Sequence, residues 1–203
     1  MEWLCSLFMS SAGNDSKIRV ACVGDSITGG TGYPSDLARL LGSSYIVGNF
    51  GVAGTTASLD SGGAYMEQKA FQDAKKFQPD IVIIMLGTND ANPTLYPDLN
   101  EAGFVEGYVQ LIGEFQAISA KPKIYLVKPP PVFTDETGTE VQYFRDFVLA
   151  GIEQAAAQTN LAVIDVYSAL ADYPEFFPDG VHPGSEGAQL IADEIYKAII
   201  VEN

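Results

Sequence analysis

The hydrophobic pattern of the chain is a series of apolar runs, rich in valine and isoleucine, that do not alternate with polar residues. Five such runs cover residues 18–24, 45–51, 80–87, 123–129 and 162–167. A strand has this pattern when both of its faces are buried, as in a parallel sheet that helices cover on both sides. We therefore predict about five parallel β-strands.

Segments with helical spacing separate these runs. Their apolar positions recur every three or four residues, roughly over 34–41, 65–77, 101–119, 141–159 and 184–200. The repeated strand–helix order predicts a doubly wound, flavodoxin-like α/β domain with helices flanking the sheet. Ligands bind such folds at the carboxyl ends of the strands, so the functional residues are expected there.

Residues 17–203 form one predicted domain, preceded by an N-terminal extension over residues 1–16. The extension has a short apolar patch, but Glu2 stands where a secretory signal carries basic residues. We expect a segment that packs on the domain or frays, and a cytoplasmic rather than a secreted protein. The proline-rich stretch "KPPPVF" and the polar residues 134–140 are predicted to form a surface loop after the fourth strand.

Composition narrows the classes of function. Acidic residues outnumber basic ones 26 to 11, giving a formal net charge of −15, and no basic cluster could follow a phosphate backbone. No apolar run is long enough to cross a bilayer. Nucleic acid and membrane are therefore excluded as predicted partners. With one histidine and two separated cysteines, a zinc site is not expected, and Cys22, inside an apolar run, is interpreted as core packing.

The first strand ends in "VGDSITGG", which places Ser26 at a strand-to-helix turn. A serine at the start of a helix is most often an N-cap, and by itself the stretch predicts no more than that. A phosphate-binding loop is the weaker alternative, since neither GxGxxG nor GxxxxGK[ST] is present.

Two further stretches follow neighbouring predicted strands. The second strand leads into "GNFGVAGTT" with Gly54, and the third into "LGTND" with Asn89. Each alone is typical of a turn. Together with Ser26 they place a hydroxyl, a backbone N–H and a side-chain amide at one edge of the sheet, and these are the parts of an oxyanion hole beside a nucleophile.

The only histidine, His182, lies in "FPDGVHPGSEG" just before the last predicted helix. Asp179 precedes it by three residues, so the carboxylate can bind the Nδ1 side of the ring while Nε2 faces outward. A lone histidine is otherwise often a neutral surface or core residue. Beside a serine and an oxyanion hole, it is predicted to be a general base.

These stretches together resemble the GDSL esterases, or SGNH hydrolases. "GDSIT", "NFGVAG", "GTND" and "DGVHP" are similar to the four blocks of that family, in the same order, over residues 24–183. The resemblance implies a Ser26 nucleophile, a His182 base oriented by Asp179, and an oxyanion hole of Ser26 N–H, Gly54 N–H and the Asn89 amide. It implies an esterase that needs neither a cofactor nor a metal.

The wider pattern is similar to small bacterial acetylesterases that act on carbohydrates. It departs from them at Gly29, where many relatives carry glutamate, and in lacking a tryptophan-containing stretch after "KPPPVF". We predict short acyl esters as substrates, acetylated saccharides above all, with Tyr96 and Phe133 as candidate faces for a sugar ring. The alternatives are a lysophospholipase or thioesterase with the same residues, a catalytically silent glycan-binding domain, and a flavodoxin-like cofactor binder.

Overall fold

The computed structural model describes residues 17–92, 100–133 and 144–201. Its five strands form one parallel sheet in the order β2-β1-β3-β4-β5. Their bounds are Ile18–Gly24 (β1), Tyr45–Gly51 (β2), Ile81–Met85 (β3), Lys123–Lys128 (β4) and Ala162–Asp165 (β5). This strand order is the flavodoxin-like one, so the predicted fold class is confirmed.

Helices connect the strands and cover both faces of the sheet. The α-helices are Ser26–Gly30 (α1), Tyr33–Leu41 (α2), Lys69–Lys76 (α3), Glu101–Gln116 (α4), Ala150–Thr159 (α5), Val166–Leu170 (α6) and Ser185–Val201 (α7). A π-helical turn, Phe144–Leu149, leads into α5, and 3₁₀ turns span Leu59–Ser61, Tyr65–Glu67 and Pro174–Phe176. None of the helices in the described ranges is long and apolar enough to cross a membrane.

The core lies in two layers, one on each face of the sheet. Along β1, Val20 and Cys22 contact the layer under α2 and α7, whereas Ala21 and Val23 contact the layer under α3, α4 and α5. All four side chains are fully buried. Burial of both faces is the reason that the strands have no alternating pattern, and the interpretation of Cys22 as core packing is confirmed.

Two predicted elements are each divided into two in the structure. The predicted strand over 162–167 is wrong at its end, because the Asp165 side chain accepts a hydrogen bond from the Ser168 N–H at 2.9 Å and caps α6 there. The predicted helix over 65–77 is broken at Gln68, whose backbone is extended with ψ 150°. A 3₁₀ turn precedes this break and α3 follows it.

Candidate active site

The predicted site residues follow different strands at one edge of the sheet. β1 lies between β2 and β3, and Ser26, Gly54 and Asn89 come after β1, β2 and β3 respectively. Because all strands are parallel, these three loops emerge side by side. The strand order reverses between β1 and β3, which is where doubly wound folds bind ligands.

The turn that holds Ser26 is capped by its neighbour. Asp25 is the N-cap of α1, and its Oδ1 accepts a hydrogen bond from the Ile27 N–H at 2.9 Å. Ser26 is the first residue of the helix, so the alternative of Ser26 as the N-cap is wrong. Its side chain is half-buried and available for chemistry.

Glycine is required where the turn meets the sheet. A Cβ at Gly24 would overlap the Thr28 hydroxyl and the Met85 carbonyl oxygen. A Cβ at Gly51, at the end of β2, would overlap the backbone of Gly29 in α1. The backbone of the turn that holds Ser26 therefore lies directly against two strands, which fixes the position of Ser26.

A continuous chain of hydrogen bonds joins the serine to the histidine and the aspartate. Ser26 Oγ lies 2.8 Å from His182 Nε2, and His182 Nδ1 lies 2.8 Å from Asp179 Oδ2. In the tautomer that carries its proton on Nδ1, the ring donates to the carboxylate and accepts from the serine hydroxyl. The structure thus brings together three residues that are up to 156 positions apart in sequence.

The Asp179 carboxylate is held by the backbone of its own turn. The His182 N–H donates to Asp179 Oδ1 at 2.7 Å, and the Val181 N–H donates to the same oxygen at 3.0 Å. The bond from the His182 N–H is the main cause that lowers the pKa of Asp179 to about 2; the Val181 N–H and the His182 ring add to it. Asp179 therefore stays ionised at neutral pH and favours a proton on the facing ring nitrogen.

Gly54 and Asn89 lie in adjoining loops. The Asn89 Nδ2 donates to the Thr55 carbonyl at 2.8 Å, which ties the loop after β3 to the residue that follows Gly54. An amide nitrogen carries two hydrogens, so the second can donate to a bound oxygen. Gly54 has a φ of +77°, a conformation that turns the backbone in a way only glycine adopts without strain.

Sequence reasoning missed a pair of buried carboxyl groups behind the site. Asp90 accepts hydrogen bonds from the Ala57 and Ser58 N–H groups, both at 3.0 Å, and so fixes the loop that carries Gly54. Burial raises the pKa of Asp90 to about 6 and that of Asp25 to about 7. Asp25 Oδ2 has no hydrogen-bond partner in the described part of the chain. The sequence feature that could have revealed these two carboxyl groups is an aspartate just after an apolar strand, in "GDS" and in "TND".

The structure describes one of the two candidate sugar-contacting residues. Tyr96 lies outside the described residues. Phe133 is partly buried, its ring packs 4.9 Å from the ring of Phe177, and its N–H donates to the Gly180 carbonyl at 2.7 Å. These contacts link the loop after β4 to the turn that carries Asp179 and His182. A role of either residue in binding sugar stays a prediction.

Comparison with known proteins gives a consistent set of relatives. A family model described as the GDSL-like Lipase/Acylhydrolase family matches residues 22–190. The chain is 33% identical, over an alignment 224 positions long, to an acetylxylan esterase of Xylanibacter ruminicola, a match that covers 98% of this chain and 46% of that protein. It thus spans about half the length of the curated relative it matches.

Solved structures share the fold. A lipase/acylhydrolase from Enterococcus faecalis has a TM-score of 0.74 at 26% identity, covering 91% of this chain and 96% of that one. An acetylxylan esterase from Geobacillus stearothermophilus has a TM-score of 0.73 at 23% identity, covering 91% and 94%. At that identity the second likeness concerns the fold alone.

Proposed function

Since this chain belongs to the GDSL-like lipase/acylhydrolase family, we propose that it is a serine esterase that removes short acyl groups, acetyl above all, from carbohydrates. The observation that carries the proposal is the hydrogen-bonded chain from Ser26 Oγ through His182 to Asp179. A serine hydroxyl is a weak nucleophile at neutral pH and needs such a base to react with an ester.

The first step forms an acyl enzyme. Ser26 Oγ attacks the ester carbonyl carbon while its proton passes to His182 Nε2. The tetrahedral intermediate then collapses, the bond to the alcohol breaks, and His182 returns the proton to the leaving alcohol. Asp179 stabilises the positively charged ring between these two transfers, because its carboxylate remains ionised beside Nδ1.

The second step repeats the chemistry with water. His182 takes a proton from water, the resulting hydroxide adds to the acyl carbon, and the ester bond to Ser26 breaks as Oγ regains a proton. In both steps the oxyanion accepts hydrogen bonds from the N–H groups of Ser26 and Gly54 and from the Asn89 amide. Each such donor lowers the barrier by about 3 kcal/mol.

The choice of substrate rests on two observations. The curated relative at 33% identity is named an acetylxylan esterase. The net charge of −15 disfavours the approach of anionic lipid surfaces and polyanionic sugars, which leaves neutral acetylated saccharides as the better partners.

The test is a panel of esters run on the wild type and on Ser26→Ala. We expect kcat/KM on p-nitrophenyl esters to be highest for acetyl, lower for butyryl and very low beyond octanoyl. Acetate should be released from a neutral acetylated xylo-oligosaccharide, and EDTA should leave the rate unchanged. Ser26→Ala should lose nearly all activity on every ester. A maximum at long acyl chains would instead assign the site to lysophospholipids, and an inactive wild type would favour a silent binding domain.

A further inference from the structure

An aromatic pair lies on the surface beside the turn that carries His182. The rings of Tyr173 and Phe176 are stacked, with centroids 5.0 Å apart and planes within 7° of parallel. Tyr173 is the N-cap of the 3₁₀ turn Pro174–Phe176 and Phe176 is its last residue, three positions on, a spacing at which side chains in a 3₁₀ helix eclipse one another. The backbone therefore holds the pair in place. Phe176 covers one face of the Tyr173 ring, yet Tyr173 remains 40% exposed.

The pair forms one wall of an open cavity of about 500 Å³. The first two turns of α7 form the other wall. The lining residues are Tyr173, Phe176, Ser185, Glu186, Gln189 and Leu190. None of these six is basic and Glu186 is acidic, although the Arg39 guanidinium donates a hydrogen bond to the side-chain oxygen of Gln189.

The cavity lies close to the catalytic histidine. The Phe176 carbonyl accepts a hydrogen bond from the Gly184 N–H at 2.7 Å, and Gly184 is two residues from His182. A chain advances at most about 3.6 Å per residue, so the Phe176 carbonyl lies within about 10 Å of the His182 Cα. This distance is within the length of a ligand longer than one sugar ring.

The chemistry of the walls fits a neutral sugar. The two rings and Leu190 offer an apolar surface against which the C–H face of a pyranose can pack. The Glu186 carboxylate accepts one hydrogen bond from the Ser185 hydroxyl at 2.9 Å. A carboxylate accepts several bonds, so Glu186 can also accept from sugar hydroxyls. An aliphatic chain has no hydrogen-bond donor, so it could not bond to the Glu186 carboxylate.

We propose that this cavity is a second carbohydrate site, which binds an unmodified sugar ring of the same neutral oligosaccharide whose acetyl ester is bound at Ser26. The inference rests on the function proposed above. It adds that the enzyme recognises the saccharide chain beyond the acetylated sugar, through the stacked pair Tyr173–Phe176 and Glu186. The site thus favours oligomers over single sugars.

Binding can be tested apart from catalysis. Xylohexaose, a neutral oligosaccharide without acetyl groups, is titrated calorimetrically into the Ser26→Ala protein. We expect binding that Tyr173→Ala weakens about tenfold and that Tyr173→Phe, which keeps the ring, leaves within about twofold. Tyr45→Ala is the matched control, because Tyr45 starts the edge strand β2 and does not line the cavity. It should leave the affinity unchanged.

Kinetics give the second readout. In the protein with an intact Ser26, Tyr173→Ala should raise KM for acetylated xylo-oligosaccharides about tenfold with kcat unchanged. The same variant should hydrolyse p-nitrophenyl acetate, which has no sugar, at the wild-type rate. Hydrolysis of p-nitrophenyl acetate tests the proposed esterase function alone. If the wild type does not hydrolyse this ester, the esterase proposal is contradicted, but the sugar site is not.

Four results would overturn the sugar site. Xylohexaose could fail to bind, or it could bind Tyr173→Ala and the Ser26→Ala parent equally. Tyr173→Ala could weaken the binding of a lysophospholipid alone, which would assign the cavity to an acyl chain. Sedimentation could reveal a dimer that Tyr173→Ala dissociates, which would assign the aromatic pair to contact with a second copy of this chain.

Discussion

Asp25→Asn should stabilise the protein increasingly as the pH rises. Asp25 is 1% exposed, and burial raises its pKa from 3.8 to about 7. A carboxyl group with a raised folded-state pKa favours folding while it is protonated, and this contribution is lost as the pH rises through the folded-state pKa. Above pH 7 both states are ionised, and a buried charge with that pKa destabilises the fold by about 4 kcal/mol.

Asparagine removes the charge and preserves the cap. Its side-chain oxygen can still accept the hydrogen bond from the Ile27 N–H, and asparagine is as good an N-cap as aspartate. Urea unfolding at pH 4, 5.5, 7 and 8.5 measures the difference in unfolding free energy between Asp25→Asn and the wild type. The gain should be below about 1 kcal/mol at pH 4 and rise to about 4 kcal/mol at pH 8.5.

A second N-cap aspartate provides the control. Asp165 caps α6 after β5 but is exposed. Partial burial raises its pKa, yet the bonds from Ser168 and the charge of Lys128 outweigh this and lower the pKa overall. Asp165→Asn should therefore destabilise the protein at neutral pH, the opposite sign. If the difference in unfolding free energy between Asp25→Asn and the wild type is constant over the whole pH range, Asp25 does not carry a destabilising buried charge.

Four further changes probe the site. Asn89→Ala should lower kcat on p-nitrophenyl acetate about 100- to 1,000-fold, as expected for one oxyanion donor. A loss below about tenfold would contradict the role of Asn89 in the oxyanion hole. The double variant Ser26→Ala, His182→Ala should be about as inactive as either single one, since the residues act as a unit, and additive losses would contradict this. Asp179, whose pKa is lowered to about 2, should stay ionised down to about pH 4, and an NMR signal of its carboxylate that titrates above that pH would contradict this. Gly24→Ala should destabilise the fold by about 3 kcal/mol in urea unfolding, because its Cβ overlaps the Met85 carbonyl, and a neutral change would mean that the turn can move.

The sequence predicted those parts of the fold that local patterns determine. The five strands were recognisable because burial of both faces demands uninterrupted apolar residues, as along Val20 and Ala21. The end of β5 was not recognisable, because the apolar run continues into α6 and only the bond between Asp165 and the Ser168 N–H ends the strand. The break at Gln68 has no local signal of proline or glycine either.

The site likewise contains some residues whose contacts are local in sequence and others whose contacts are distant. Asp179 and His182 are three residues apart, so their contact was a local inference, and the family blocks supplied Ser26. The role of Asp90 depends on backbone groups 33 and 32 residues away. No local pattern encodes such distant contacts, which is why the role of Asp90 came only from the structure.

Covalent labelling of Ser26 tests the central claim most directly. A fluorophosphonate reacts with a serine only when a base activates the hydroxyl and donors hold the oxyanion. We expect one label per chain, located on Ser26 by peptide mass spectrometry, with esterase activity falling in proportion to labelling. Ser26→Ala and His182→Ala should take up no label while keeping the wild-type circular dichroism spectrum. A label on another residue, or full activity in the completely labelled protein, would contradict the assignment of Ser26 as the nucleophile.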